Sequence, residues 1–253
     1  MFNVQYLNEL RIVEMEQLVK LIPRGARILE FGAGTGQQAR FLADRGFDVL
    51  AVDLASSNYA EHRLFPVEQY DGRRIPLDDH SVDVIFSSNV MEHVEDISGI
   101  MEEFHRILRV GGCGLHVMPT PSWRLWTFVT GIGNSAVTMF SIPKHLISPP
   151  RSRSRVAALK SDLRTIAGGL LPLGHGTSRE GISELYTFSR RAWVRTFEKH
   201  GFTVVKDQAI GLFYTGHMLF GRRMTFPRRR RLSRWLGSAT RIYIVKPNGS
   251  IAG

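Results

Sequence analysis

Residues 26–37 read "ARILEFGAGTGQ", an apolar run that ends in an acid and passes into glycines at positions 32, 34 and 36. A short apolar run closed by glycine reads as a buried strand entering a tight loop. Glycine reaches positive φ without a Cβ penalty, so the loop can turn sharply and bring its backbone against a ligand. A dinucleotide fingerprint, G-x-G-x-x-G, begun at Gly32 would place its third glycine at position 37. Position 37 is Gln, and Glu30 stands two residues before the first glycine. A carboxylate at that strand end repels a pyrophosphate and suits an ammonium group. The stretch therefore points away from NAD and toward a nucleoside that carries an amino acid.

Outward from this loop, short apolar runs alternate with helical patterns. Strands are expected at 26–31, 48–53, 67–71, 82–87, 113–118, 202–208 and 241–246, with helices at 37–45, 56–64, 96–109 and 189–200. Before them, Leu7, Leu10, Val13, Leu18 and Leu21 recur at helical intervals with acids between, predicting an amphipathic helix over 6–22 that stops near Pro23 and Gly25. Such alternation predicts an α/β fold with a doubly wound, seven-stranded, mostly parallel sheet. No helix is evident between the last two strands, so an antiparallel final strand is expected. Residues 121–180 are too long for a simple connection and predict an insertion after strand five.

Four segments together, "ILEFGAGTGQ", "VLAVDLA", "IPLDDHSVDVIFSSNVMEHVED" and "ILRVGGCGLHVMPTPS", resemble the class I S-adenosylmethionine-dependent methyltransferases of the small-molecule type. The resemblance covers about residues 25–120 well and 185–210 more loosely. It implies a Rossmann-like methyltransferase fold, S-adenosyl-L-methionine as cofactor and EC class 2.1.1. It also implies roles for particular residues. Glu30, Gly32, Ala33, Gly34 and Gly36 would surround the methionine part, Glu30 near its amino group. Asp53 would accept hydrogen bonds from both ribose hydroxyls, and Leu54 would face the adenine. Asp71, followed by Gly72, matches the acid near the adenine amine, and Asn89 would lie by the sulfonium. Asp53 also reads as an ordinary strand-end turn residue, and Asp71 as the cap of the turn before Arg73.

Methyl transfer from an activated sulfonium needs alignment and exclusion of water. A hydroxyl acceptor also needs a base. His93, His145 and His175 are the candidates by type and position; His93 equally suits a structural role under the loop, and His175, between two glycines, is the first to test. In the family the insertion after strand five shapes the acceptor pocket. Here Leu125–Pro143 carries no charge but holds several Thr and Ser residues, an Asn and two glycines, so it reads as a pocket-lining lid before an interfacial membrane segment. One domain is expected, with 1–120 binding cofactor, 121–187 binding acceptor, and 188–253 adding a helix, two strands and a basic segment.

Charge divides the chain: residues 1–120 carry −7 and residues 121–253 carry +17. The basic half suits an anionic, glycan or lipid-linked acceptor, or peripheral contact with an anionic membrane at the inner face. A solvated basic surface accounts for the same count. One cysteine, Cys113, leaves no internal disulfide and no multi-cysteine metal site, and no metal is expected. With acids at 9, 14 and 16 no secretion signal is read, and a cytoplasmic setting is expected. O-methylation of a small molecule or glycan-type acceptor is favoured. A non-catalytic nucleoside-binding protein of the same fold is the first alternative. A nucleic-acid methyltransferase is the second, disfavoured because no Asn/Asp-Pro-Pro-aromatic motif occurs.

Overall fold

The structure, a computed structural model, describes residues 4–57, 63–147, 160, 163, 183–218 and 220–249. Its frame is one seven-stranded sheet: β1 (Arg27–Phe31), β2 (Asp48–Leu54), β3 (Glu68–Tyr70), β4 (Val82–Ser88), β5 (Leu108–Pro119), β6 (Phe202–Ala209) and β7 (Thr240–Pro247). Their order is β3-β2-β1-β4-β5-β7-β6. The pairs among β1 to β5 are parallel, and β7 runs antiparallel to both β5 and β6. The expected antiparallel last strand is thus present, inserted between its predecessors. Strand order reverses between β1 and β4, and in open α/β sheets the crevice beyond the strand ends at that point receives ligands.

The helices are α1 (Val4–Leu18), α2 (Gln37–Ala43), α3 (Ile97–Ile107), α4 (Pro121–Ile147), α5 (Glu184–Thr187), α6 (Arg190–Lys199) and α7 (Phe226–Leu236). Alternate strand residues face opposite layers, as the two-residue period requires. Ile28, Phe86, Leu115 and Ile242 meet Leu10, Met15 and Leu18 of α1 and Leu42 of α2. On the other face Leu29, Phe31, Ile85 and Tyr243 meet Phe104 of α3 and Phe197 of α6. Burial on both faces explains why these strands read as nearly continuous apolar runs.

Two expectations need correction, at the link between the last two strands and at the start of β5. The last two strands are joined through a helix, α7, whose sequence "FPRRRRLSRWL" hid it: a basic run lacks an apolar stripe. Pro227 in the first turn, where a missing N–H costs nothing, starts it. Arg229 in this run is fully buried and donates to the carbonyls of Met224, Phe213 and Gly221, so one charge of the basic segment is structural. The charge-free stretch, read as a lid, lies within one 27-residue helix, α4. Three of its polar residues bond locally: Thr130, Ser135 and Thr138 donate to carbonyls four residues back, at 2.7, 3.0 and 2.8 Å. Finally, β5 starts at Leu108, five residues earlier than expected, on Val82 of β4. The helix expected over 56–64 falls mostly outside the described residues, and its described ends are not helical.

Candidate active site

The loop leaving β1 is built on left-handed backbone: Gly32, Gly34 and Gly36 have φ of 74°, 56° and 72°. The N–H groups of Gly32 and Ala33 both donate to the Val52 carbonyl, at 2.9 and 3.0 Å, which ties the loop to β2. A Cβ on Gly32 would lie 2.5 Å from both methyls of Val90, so glycine there lets the loops after β1 and β4 close on each other. Asp53 near the end of β2 accepts the Gly34 N–H on Oδ2 (3.0 Å) and the Leu54 N–H on Oδ1 (2.9 Å). It is partly exposed, so each oxygen keeps acceptor capacity toward the crevice.

Glu30 lies beneath this loop, 2% exposed, with no hydrogen-bond partner for Oε2. Burial pushes its carboxyl up to about 8, the nearby Asp53 charge adds to that, and a backbone N–H of Ala39 works against it. Leu54 is exposed and comes within 3.2 Å of a Cβ placed on Gly72. Asp71 is engaged in its turn: Oδ1 accepts from the N–H groups of Arg73 and Arg74 at 2.9 and 3.0 Å, which holds its carboxyl below the usual range.

The loop after β4 carries the other polar groups. Asn89 adopts a left-handed φ of 54°, and its N–H donates to Val117 O at 2.8 Å. The amide orientation that satisfies its surroundings turns Oδ1 to the Arg11 guanidinium, at 2.8 and 3.1 Å. Arg11 comes from α1 and also donates to Glu14 Oε2 (2.7 Å) and the Tyr214 hydroxyl (3.3 Å). Glu14 Oε1 accepts from Tyr214 at 2.8 Å and Thr240 at 2.6 Å, which completes a buried network.

The next turn, Met91–His93, places Glu92 inward and His93 half-exposed. Glu92 is 5% exposed, and neither carboxylate oxygen has a hydrogen-bond partner. Burial pushes it up to about 8; its own backbone N–H and the Arg11 charge oppose, and the Glu184 charge adds to the shift. His93 Nε2 stands 3.9 Å from Glu92 Oε1, beyond hydrogen-bond reach, and burial lowers its pKa. Across from this turn, Arg124 of α4 pairs with buried Glu184 of α5 at 2.8 Å. A cavity of about 430 Å³ opens between the Glu92 turn, α5 and α6.

The structure therefore gathers Glu30, Gly32, Ala33, Gly34, Gly36, Asp53 and Asn89 around one strand-end crevice. His145 belongs to the last turn of α4 with its side chain outside the described residues, and His175 lies outside them altogether. Sequence reasoning missed Arg11 and Glu92, while Glu184 stands in the stretch that it set beside the acceptor pocket. Among the described residues no cluster of His, Cys, Asp and Glu could hold a metal ion. The donor set fits the S-adenosylmethionine implied above. A buried carboxyl with an unmet oxygen suits a cationic amino group, and a partly exposed strand-end carboxylate suits a diol. Two acids beside the glycine loop suit a pyrophosphate poorly.

Comparisons with known proteins agree. Residues 29–115 match a family model described as a methyltransferase domain. Over 116 residues the chain is 32% identical to malonyl-[acyl-carrier protein] O-methyltransferase of Enterobacter lignolyticus, covering 44% of this chain and 46% of that one. It is 31% identical over 105 residues to sarcosine/dimethylglycine N-methyltransferase of Aphanothece halophytica, covering 37% and 38%. The chain thus spans less than half the length of these curated relatives. An S-adenosylmethionine-dependent methyltransferase structure from Mesorhizobium loti superposes with a TM-score of 0.54 at 17% identity, covering 92% of this chain and 97% of that one. That likeness shows a shared fold.

Proposed function

We propose, from the match of residues 29–115 to a methyltransferase-domain family model and from the shared fold, that the protein is an S-adenosylmethionine-dependent methyltransferase. The observation that carries the reading is Glu30, a buried carboxyl with an unmet oxygen under a glycine loop whose neighbouring acid, Asp53, faces the same crevice. When bound, S-adenosylmethionine supplies an activated methyl carbon on a sulfonium. Glu30 and the backbone of Gly32–Gly36 hold the methionine part, Asp53 takes the ribose hydroxyls, and Leu54 covers the adenine. Asp71 and Gly72 bound the adenine edge, and Asn89, braced by Arg11, borders the reacting end. Residues 1–120 serve as the cofactor half, 121–187 as the acceptor side and 188–253 as the closing segment. Calorimetric titration tests this: S-adenosylhomocysteine binds and NAD does not, and the reverse result overturns the reading.

In this reading the acceptor is a small molecule methylated on oxygen. The O-methyltransferase among the relatives supports oxygen and the N-methyltransferase does not, so the argument rests on the acid rather than on the names. Any hydroxyl must lose a proton as the new bond forms, and Glu92, a buried and unpartnered carboxyl beside the reacting end, accepts it once ionised, toward pH 8.

A surface feature favours an additional partner. Leu125, Val129, Ile132, Val137 and Met139 of α4 are exposed, and Trp235 of α7 is 85% exposed. The two helices join where Trp126 Nε1 donates to Leu236 O at 2.9 Å. Arg228, Arg230, Arg231 and Arg234 are exposed on α7, and residues 121–147 and 208–253 contain no Asp or Glu. Apolar and cationic side chains without acids suit an anionic lipid surface, each cation contributing about 1 kcal/mol. Among the described residues no helix is long and apolar enough to cross a membrane, so the contact proposed is peripheral. Flotation with vesicles rich in phosphatidylserine at physiological salt carries the protein upward, and neutral vesicles do not. Equal partition onto both, or none, removes the lipid partner.

A further inference from the structure

The cavity beside the Glu92 turn has two chemical peculiarities in its wall. Glu92, whose two carboxyl oxygens are buried without a hydrogen-bond partner, and Trp193 of α6, whose indole Nε1–H is likewise buried and unpartnered, both line it. Both residues are buried, at 5% and 7% exposure. A buried polar group left unmet costs about 1–3 kcal/mol, so two lining one cavity mark a place where a ligand can meet them. The contrast lies close by. Glu184, equally buried, is paired with Arg124, and the mouth residue Arg195 donates to the Tyr186 hydroxyl at 3.2 Å.

The rest of the wall defines what fits. Met91, Val94, Ile97 and Phe188 are apolar, Thr187 and Thr196 bring hydroxyls, and the exposed Glu95 and Arg195 bring one charge of each sign. An acceptor oxygen and a donor N–H inside a largely apolar cavity call for a ligand that both gives and receives a hydrogen bond. A hydroxyl does both with one heavy atom. A carboxylate or phosphate cannot donate to Glu92, and burying its charge beside this desolvated acid is costly. An ammonium group cannot accept from Trp193.

We propose that this cavity binds the hydroxyl-bearing part of a neutral, mainly apolar acceptor, with Glu92 and Trp193 as its hydrogen-bonding partners. The proposal rests on the methyltransferase reading for the word acceptor, because the Glu92 turn begins two residues after Asn89 at the reacting end of the sheet. The binding site itself stands on the cavity and its two unmet groups. It also moves attention from the histidines to the acid beside one of them.

Two probes differing by one hydrogen-bond donor, 4-ethylphenol and 4-ethylanisole, test the site. Each is titrated calorimetrically at pH 7.5 into the full chain, with and without saturating S-adenosylhomocysteine. Wild type binds the phenol about tenfold more tightly than the anisole, a ratio that corresponds to one hydrogen bond's worth of free energy. Glu92→Leu and Trp193→Phe each bring the ratio down to about one, with thermal melts confirming that both variants fold. Should Trp193→Phe fail to fold, Glu92→Leu alone decides. Equal binding of the two probes by wild type, or a ratio untouched in the variants, overturns the proposal. The S-adenosylhomocysteine isotherm is read separately. Cofactor binding without probe discrimination sinks this site and leaves the methyltransferase reading standing. Probe discrimination without cofactor binding does the opposite.

Discussion

Glu14 and Glu92 are both buried acids near Arg11, yet they stand in opposite conditions. Glu14 accepts hydrogen bonds from Arg11, Tyr214 and Thr240. Glu92 accepts none through either oxygen, and Glu30, under the glycine loop, has one oxygen unmet. A satisfied buried charge belongs to the scaffold, since removing a partner strands the others. An unsatisfied one is a cost that the fold carries, and such costs gather where a ligand will meet them. The difference separates the network that fixes α1 to β7 from the groups that await a substrate.

The largest expected effect follows from breaking the satisfied network. Glu14→Leu leaves the Arg11 guanidinium buried without its anion and costs about 3–5 kcal/mol of folding stability. Urea denaturation measures it, and a loss below about 1 kcal/mol would place Glu14 among the idle acids.

Next comes Asp53, whose carboxylate already takes two backbone N–H groups and faces the crevice. Asp53→Ala weakens S-adenosylhomocysteine binding by about 2–4 kcal/mol, the scale of charged hydrogen bonds to two hydroxyls. An affinity change under threefold would make it a turn residue only.

A smaller effect, of opposite sign, is expected at Glu92. Its folded-state value is about 8 against an ordinary 4.5, so the folded chain keeps a proton that the unfolded chain has lost. Stability contributed by this group therefore falls as pH rises from about 4.5 and levels off above about 8. Burial sets this shift, and the charges that modify it are Arg11, which opposes it, and Glu184, which adds to it; His93 stands 3.9 Å away. Glu92→Gln removes the ionisation and raises stability at pH 8 by about 1–3 kcal/mol. Melting curves from pH 5 to 9 check it: the wild-type decline across that range flattens in the variant. An unchanged slope would mean that Glu92 ionises freely in the folded state.

These contrasts also show what the sequence makes legible. Strands buried on both faces announce themselves as apolar runs, and the loop of Gly32, Gly34 and Gly36 marks a backbone that only glycine follows easily. The parallel sheet and the crevice at β1 follow from those two signals. The buried acids were hidden by the habit of reading charge as surface. In α1, position 14 falls on the same helical stripe as Leu7, Leu10, Leu18 and Leu21, so an acid there was a visible sign of a buried network. Glu92 was masked by His93, whose chemistry draws the eye, although the turn points the acid inward and the histidine outward. Helix α7 was hidden because its interior contact is made by an arginine donating to carbonyls, a use of charge that no hydropathy pattern reveals. The Arg124–Glu184 pair joins residues 60 positions apart, beyond any local pattern.

The account's central claim is that unmet buried acids mark where ligands bind, and Glu30 tests it most directly. Glu30→Gln should be compared with wild type by thermal melting at pH 7.5 and by calorimetric titration with S-adenosylhomocysteine. The amide no longer carries the cost of a buried ionisable group, so the variant melts higher, while affinity for the ligand's cationic amino group falls at least tenfold. A variant that melts lower and binds S-adenosylhomocysteine as tightly as wild type contradicts the claim, because Glu30 would then be a structural acid like Glu14.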